Sequence, residues 1–249
     1  MFTVITLIMA GLSAGALNAV AGGGTFLSFP ALVWAGVPPV TANATATLAA
    51  LPGYLGSAWA FRNDIRASRS LPLAMVLGTA GAGGILGALL LLMTPAEVFE
   101  GVVPWLLAFA TLVFAFGPKL SAWLASKGVG KAGPVLSAVV LLSVTTYGGY
   151  FNGGVGILLL ASFGLLGMSD LKEMNGLKNL ASSALSLVSV VIYIGAGLIA
   201  WQHAIVLGAA CAAGGYLGAA MSRQITNPGR LRIFITAVGA AMSLIFFLK

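Results

Sequence analysis

Asn18-Ala-Val-Ala-Gly-Gly-Gly-Thr-Phe-Leu-Ser-Phe-Pro-Ala-Leu32 interrupts a long apolar run with three adjacent glycines. Asn152-Gly-Gly-Val-Gly-Ile-Leu-Leu-Leu-Ala-Ser-Phe-Gly-Leu-Leu166 does the same about half a chain later. An unwound backbone exposes N–H and C=O groups that have no partner in lipid, so it survives in a bilayer only where protein encloses it or where it lines a site. Matching interruptions in two halves of a chain are the sequence pattern of a transporter's binding site. The first expectation is therefore a small secondary transporter whose two breaks form the substrate cradle.

Composition fits that reading. Hydrophobic residues make up 59% of the 249, charged residues 7%, and the mean hydropathy is +1.05. A soluble domain carries roughly 25% charge, so a water-soluble globule is excluded. Several apolar runs approach the roughly 20 residues that a helix needs to cross a bilayer. The net charge is +7 and the isoelectric point about 9.9. The basic residues are scattered through short loops, where they orient a membrane protein, so no nucleic-acid partner is expected. The single cysteine, Cys211, lies in an apolar run and can form no internal disulfide. Ala19-Val20-Ala21 mimics a signal-peptidase site, but no Lys or Arg precedes it, so the segment is expected to be retained.

Apolar elements are expected at 2–20, 25–35, 41–61, 71–92, 101–117, 132–151, 155–168, 177–200, 204–221 and 231–248. The stretches 25–35 and 155–168 are too short to span alone and read as second arms of broken or re-entrant helices. Gly83-Gly84-Ile85-Leu86-Gly87-Ala88 matches Gly214-Gly215-Tyr216-Leu217-Gly218-Ala219 at an offset of 131 (214 − 83). Gly22, Gly23 and Gly36 fall on Gly153, Gly154 and Gly167 at the same offset. Asn43 and Thr47 fall on Asn175 and Asn179 one residue later, and Thr94-Pro95 falls on Asn227-Pro228 one later again. The fold expected is thus an all-α polytopic membrane protein of two homologous halves, with about eight full spans plus two half-helices. Residues 1–118 form the first repeat, 119–131 a cytoplasmic linker, and 132–249 the second repeat.

Charge placement orients the halves. Arg62, Arg66 and Arg69 lie in loop 62–70, Lys119, Lys127 and Lys131 in the linker, and Arg223, Arg230 and Arg232 in loop 222–232. Loop 94–100 holds only Glu97 and Glu100. Placing basic loops in the cytoplasm puts 94–100 and its counterpart 222–232 on opposite sides. That favours an inverted repeat over eight helices in parallel halves, although Lys249 then ends outside. Gly11/Gly15, Gly83/Gly87, Gly149/Gly153 and Gly214/Gly218 have the spacing that lets helices approach closely. Most such pairs serve packing within the chain; a homodimer through one of them is the other reading.

A helix restarting after glycines presents unsatisfied amides and the positive end of its dipole, which suits an anion. The candidates are Gly22, Gly23, Gly24 and Thr25 in the first break, and Asn152, Gly153, Gly154 and Gly156 in the second, with Val155 between. Asn43 and Thr47, and likewise Asn175 and Asn179, are four apart and share a helix face; Ser182 and Ser183 extend the second face. Helix capping is the plain alternative for these groups. Lys178 is placed to reach toward the second break and neutralise an anion, or else to snorkel to the interface. All five carboxylates (Asp64, Glu97, Glu100, Asp170, Glu173) fall in loops or at helix ends, so none is placed to relay protons or hold sodium in mid-membrane. No metal, cofactor or catalytic residue is expected. Gly11-Leu12-Ser13-Ala14-Gly15 matches a hydrolase nucleophile elbow, but that motif requires a strand–turn–helix context. Asn43-Ala44-Thr45 reads as a glycosylation sequon, yet it opens a membrane helix.

The opening Gly11-to-Pro39 segment resembles the sulfite exporter TauE/SafE family of membrane permeases. The shared features are the Gly22–Gly24 cluster, Pro30 with Leu32, and Ala46-Thr47-Leu48, then Asn152-Gly153-Gly154-Val155-Gly156 and Lys178-Asn179-Leu180 in the second copy. One departure is Ala161 at the position equivalent to Pro30. The resemblance covers the whole chain. It implies transport of a sulfur-containing oxyanion, such as sulfite, sulfoacetate or a related organosulfonate, across a bacterial inner membrane. The absence of mid-membrane carboxylates favours export by alternating access. An anion channel and a non-transporting membrane assembly factor remain the alternatives.

Overall fold

The computed structural model describes residues 2–20, 22–67, 71–126, 133–222 and 228–248, and among them every regular element is a helix. In chain order these are α1 (Phe2–Val20), α2 (Thr25–Trp34), α3 (Pro39–Ala60), α4 (Arg62–Ala67), α5 (Leu73–Met93) and α6 (Ala96–Ser126). They continue with α7 (Pro134–Tyr150), α8 (Val155–Leu165), α9 (Leu171–Gly195), α10 (Trp201–Ser222) and α11 (Pro228–Phe247). Among the described residues four helices, within α1, α5, α6 and α9, are long and apolar enough to cross a membrane.

Local chemistry sets the boundaries. Proline opens α3 and α7, where its missing N–H costs nothing. The carboxylate of Asp170 caps α9 by accepting from the amides of Lys172 (2.8 Å) and Glu173 (3.2 Å). Both short helices end alike. The amides of Gly36 and Val37 return to the carbonyls of Val33 and Leu32, and those of Gly167 and Met168 return to Gly164 and Phe163. The expected offset of 131 is thus repeated in the turn geometry.

Three boundaries differ from expectation. Residues 119–126, assigned to the linker, continue α6, because Ala, Leu, Lys and Trp extend a helix once it has started. Residues 62–67 form the short helix α4 instead of a loop. Glu97 and Glu100 lie in the opening turns of α6, where carboxylates meet the positive end of the helix dipole. Arg69, Lys127, Lys131, Arg223 and Asn227 lie outside the described residues.

The packing uses glycine seams. α1 lies along α10, and α5 along α7. Gly11 meets Leu207 and Ala210, Gly15 meets Cys211 and Gly215, and Gly218 meets Ala16, so α1 and α10 run parallel. Gly83 meets Thr145, and Gly87 meets Gly149 and Tyr150, so α5 and α7 run parallel too. Gly153 faces the ring of its own neighbour Phe151. All four spaced glycine pairs are therefore taken up within the chain. α3 and α9 pack against each other antiparallel. Gly176 near the start of α9 meets Phe61 and Ile65, whereas Thr45 near the start of α3 accepts from the amide of Ala200 beyond the end of α9. α6 and α11 are antiparallel as well, since Thr111 meets Gly239 and Pro104 accepts from Ser243.

A methyl group at Gly15 would overlap backbone of α10, whereas one at Gly78 or Gly81 meets nothing within 4 Å. Gly15→Ala is expected to cost about 1–3 kcal/mol by overpacking and Gly81→Ala essentially nothing. Thermal unfolding of the two detergent-solubilised variants, side by side, measures the difference.

Candidate functional site

The two breaks meet in space. A methyl group added at Gly22 would lie 2.6 Å from the Cα of Gly156, and one at Gly156 would lie 2.6 Å from that of Gly22. Only residues lacking a Cβ permit this approach. Gly22 (φ 82) and Gly154 (φ 78) also adopt the left-handed conformation that turns each chain into its short helix. Gly154 is covered by Ala110 of α6 and the ring of Phe26.

Each post-break helix serves the pre-break helix of the other half. Asn43 of α3 donates to the carbonyl of Tyr150 at the end of α7 (2.9 Å), and its Oδ1 lies 3.4 Å from the amide of Asn152. Lys178 of α9 donates to the carbonyl of Asn18 near the end of α1 (3.1 Å). Carbonyls in the last turn of a helix lack intrahelical partners, and at these two ends they find them across the molecule. Tyr193 of α9 adds a hydrogen bond to the carbonyl of Gly149, and Tyr147 donates to that of Gly153 (2.8 Å).

Asn152 is the hub of the second break. Its Oδ1 accepts from Tyr54 of α3 (3.1 Å) and from Thr25 at the start of α2 (3.4 Å), while its Nδ2 donates to Ser186 of α9 (3.1 Å). Asn152, Thr25 and Ser186 are all buried. This cluster ties the start of α2, the middle of α3 and the middle of α9 to one residue.

The first break departs from expectation. Gly24 does not present a bare amide: its N–H donates to Oδ1 of Asn18 (2.7 Å). Gly23 contributes its carbonyl to the amide of Phe26 (3.1 Å). Lys178 reaches this break and not the second, because a side chain in a helix leans toward the N-terminus of that helix, which for α9 is the end beside Asn18. Nor does Lys178 snorkel, since it is 0% exposed. Its ammonium is held by the carbonyl of Asn18 and by Oδ1 of Asn175 (3.0 Å). No ion pair to Lys178 occurs among the described residues.

The paired helix faces also prove unequal. Thr47 is buried and donates back to the carbonyl of Asn43 (2.9 Å). Asn175, partly exposed, donates to Leu171 (2.9 Å). Asn179 is fully buried, and neither its Nδ2 nor its Oδ1 has a partner. Sequence reasoning missed Asn18 as a cap, and Tyr54, Ser186 and Tyr193 as members of the site. Helical spacing carried the signal: Asn43, Thr47 and Tyr54 share a face of α3, and Asn175, Asn179, Ser182, Ser186 and Tyr193 share a face of α9.

A polytopic helical protein that encloses two interlocked helix breaks is built as a membrane transporter. The comparisons with known proteins agree. The sulfite exporter TauE/SafE family model matches residues 7–246, and the chain belongs to that family. A "Probable membrane transporter protein" of Haemophilus influenzae is 32% identical over 222 residues, covering 86% of this chain and 83% of the relative. "Probable membrane transporter protein YfcA" of Escherichia coli strain K12 is 28% identical over 236 residues, covering 92% and 84%. "Probable membrane transporter protein ORF9" of a Sinorhizobium species is 31% identical over 173 residues, covering 64% of this chain and 62% of the relative. No solved structure matches. These family and relative names indicate a multi-pass membrane transporter, not an enzyme.

Asn152→Ala leaves Tyr54, Thr25 and Ser186 without their shared partner, and each orphaned buried group costs roughly 1–3 kcal/mol. Asn18→Ala removes a single helix cap, worth about 1 kcal/mol. Melting temperatures of the two variants are therefore expected to fall in the order wild type, Asn18→Ala, Asn152→Ala.

Proposed function

We propose that this protein carries a small sulfur-containing oxyanion, such as sulfite or an organosulfonate, across the bacterial inner membrane by alternating access, in the direction of export. The observation that carries this reading is the Lys178 amine, fully buried at the place where α9 meets the first break and without an ion-pair partner among the described residues. Burying it as an ammonium ion costs several kcal/mol. The negative end of the α1 dipole offsets at most about 2 kcal/mol. A bound anion supplies the remainder, and the neighbouring groups are neutral acceptors and donors that add no competing negative charge.

The roles follow from position. Lys178 is the electrostatic anchor, Asn175 orients it, and Asn179 faces the ligand. The glycine contact of Gly22 with Gly156 holds the two breaks together. Gly23, Gly24 and Thr25 line the first break, and Asn152, Gly153 and Gly154 the second, with Asn43 and Thr47 closing it from α3. The weight of binding thus moves from the Gly24 amide, which Asn18 occupies, to the side chains of α9.

Two homologous, inverted halves give this site its alternating access. The support lies in the recurring seams: exchanging α1 with α7, α3 with α9 and α5 with α10 turns the α1–α10 seam into the α7–α5 seam. The antiparallel pairs α3/α9 and α6/α11 join counterparts. The odd number of elements per half (α1, α2, α3, α5, α6 and α7 to α11) supports opposite orientation of the halves. Export needs no coupling ion, because the membrane potential supplies about 2.3 kcal/mol per charge per 100 mV to an anion leaving a negative interior.

Lys178→Met preserves the length of the side chain and removes its charge. Its melting temperature is expected to stay within a few degrees of wild type, since replacing a buried ion by an apolar residue of similar volume is often neutral or stabilising. Saturable sulfite counterflow in proteoliposomes is expected to fall by at least tenfold. Wild-type protein that moves none of sulfite, thiosulfate, sulfonates or sulfate would defeat the cargo assignment.

A further inference from the structure

One face of α2 is a stripe that the protein leaves uncovered. Leu27, Pro30, Ala31 and Trp34 follow the spacing of a single helix face. Each is at least partly exposed, whereas Phe26, Ser28, Phe29 and Leu32 on the rest of the helix are buried. With Met242 and Phe246 of α11 the stripe walls a groove of about 380 Å³. No charged residue among those described lines it. Its one side-chain hydroxyl, that of Thr6 in α1, is spent on the carbonyl of Phe2 (3.1 Å). At the rim, where α1 begins and α2 ends, Phe2 and Trp34 meet edge to face with ring centroids 6.4 Å apart. Trp34 is 74% exposed, and tryptophan collects where a bilayer meets water.

The matching face of α8 is closed. At the offset of 131, Leu27 and Ala31 fall on Leu158 and Ser162, each buried to 5% exposure by the chain itself. One short helix is sealed by protein and the other is open on one side. A gap bounded by carbon forfeits dispersion contacts until something apolar fills it, and a membrane transporter meets acyl chains along its outer helices. A second copy of the chain fits badly. A helix is about 10 Å across and rises about 5.4 Å per turn, so one turn occupies roughly 400 Å³, more than the groove holds. The four spaced glycine pairs that could seat a neighbour are also used within the chain. An acyl tail, a slender file of methylenes with nothing to hydrogen-bond, suits the groove in shape and chemistry.

The groove wall leads inward to the second break. Phe246 stacks on Phe29 with centroids 5.5 Å apart and 24° between planes. Phe29 in turn meets Phe151 edge to face at 5.5 Å and 87°. Phe151 opens the second break, and Phe26, one turn before Pro30, covers Gly154 within it. We propose that the groove between α2 and α11 binds one acyl tail of a membrane phospholipid, which completes the packing of α2 and steadies it against the second break. The tail takes the place on α2 of the protein cover that α8 has. The headgroup lies outside, beyond Trp34, and is not recognised.

The test uses the full chain, stripped of lipid in detergent, with dioleoylphosphatidylcholine and dioleoylphosphatidylglycerol as probes. Native mass spectrometry counts bound phospholipids and chains, while thermal unfolding and hydrogen exchange read the effect on the protein. Ala31→Phe lays a ring in the groove, and Met242→Trp fills it from the opposite wall. Wild type is expected to hold one phospholipid per chain more than either variant and to melt several degrees higher once it is bound. The amides of α2 are expected to exchange roughly fivefold more slowly in the loaded protein. Both headgroups are expected to act alike, because no described charge lines the groove. Ala237→Phe, on an exposed position of α11 outside the groove, is expected to keep the phospholipid. Equal phospholipid counts in wild type and both groove variants would overturn the site, as would binding that follows headgroup charge. A wild-type dimer that Ala31→Phe splits would assign the groove to a second copy and overturn the proposal. Bound phospholipid with unchanged exchange in α2 would overturn the steadying of that helix.

Discussion

A bilayer gives unpaired backbone groups nothing to bond with, and this constraint governs the whole architecture. The chain unwinds at residues 22–24 and 151–154, between long apolar segments. Each unwound stretch must be hidden, and the molecule hides each one behind the other. The contact of Gly22 with Gly156 is the point of closure, and it works because neither residue has a side chain. Around it the long apolar helices form the shield, pulled close by the Gly11/Gly15 and Gly83/Gly87 seams.

Enclosure alone would leave the freed carbonyls unsatisfied. The molecule solves this by exchange: α3 caps the end of α7 through Asn43, and α9 caps the end of α1 through Lys178. The second of these caps is a cation, which suits the negative end of a helix dipole but overshoots it in magnitude. A neutral donor such as asparagine sufficed for α7. The surplus charge on the α1 side is the asymmetry from which the anion reading grows. The two breaks are related in sequence without being alike in chemistry, and the first is the electropositive one.

The same interlock bears on motion. α3 and α9 each touch both breaks, so a shift of either helix changes both at once. The Asn152 cluster fastens Tyr54 of α3 to Ser186 of α9.

By itself the sequence determined the all-helical membrane class, the location of both breaks, the shortness of α2 and α8, and the family. These follow from local causes: apolar length, glycine clusters, proline at helix starts, and the Gly36 and Gly167 turns. The periodic polar faces of α3 and α9 were visible too, although Tyr54 and Ser186 had to be read as part of them. Only the tertiary structure decided that the breaks touch, that Asn18 occupies the Gly24 amide, and that Lys178 turns to the first break. It also decided that Asn179, and not its counterpart Thr47, is left without a partner. Spacing along a helix fixes which residues share a face, but the neighbour that face meets is set by how distant segments pack. An offset that makes two halves look equivalent cannot reveal which of two matched positions finds a hydrogen-bond partner across the interface.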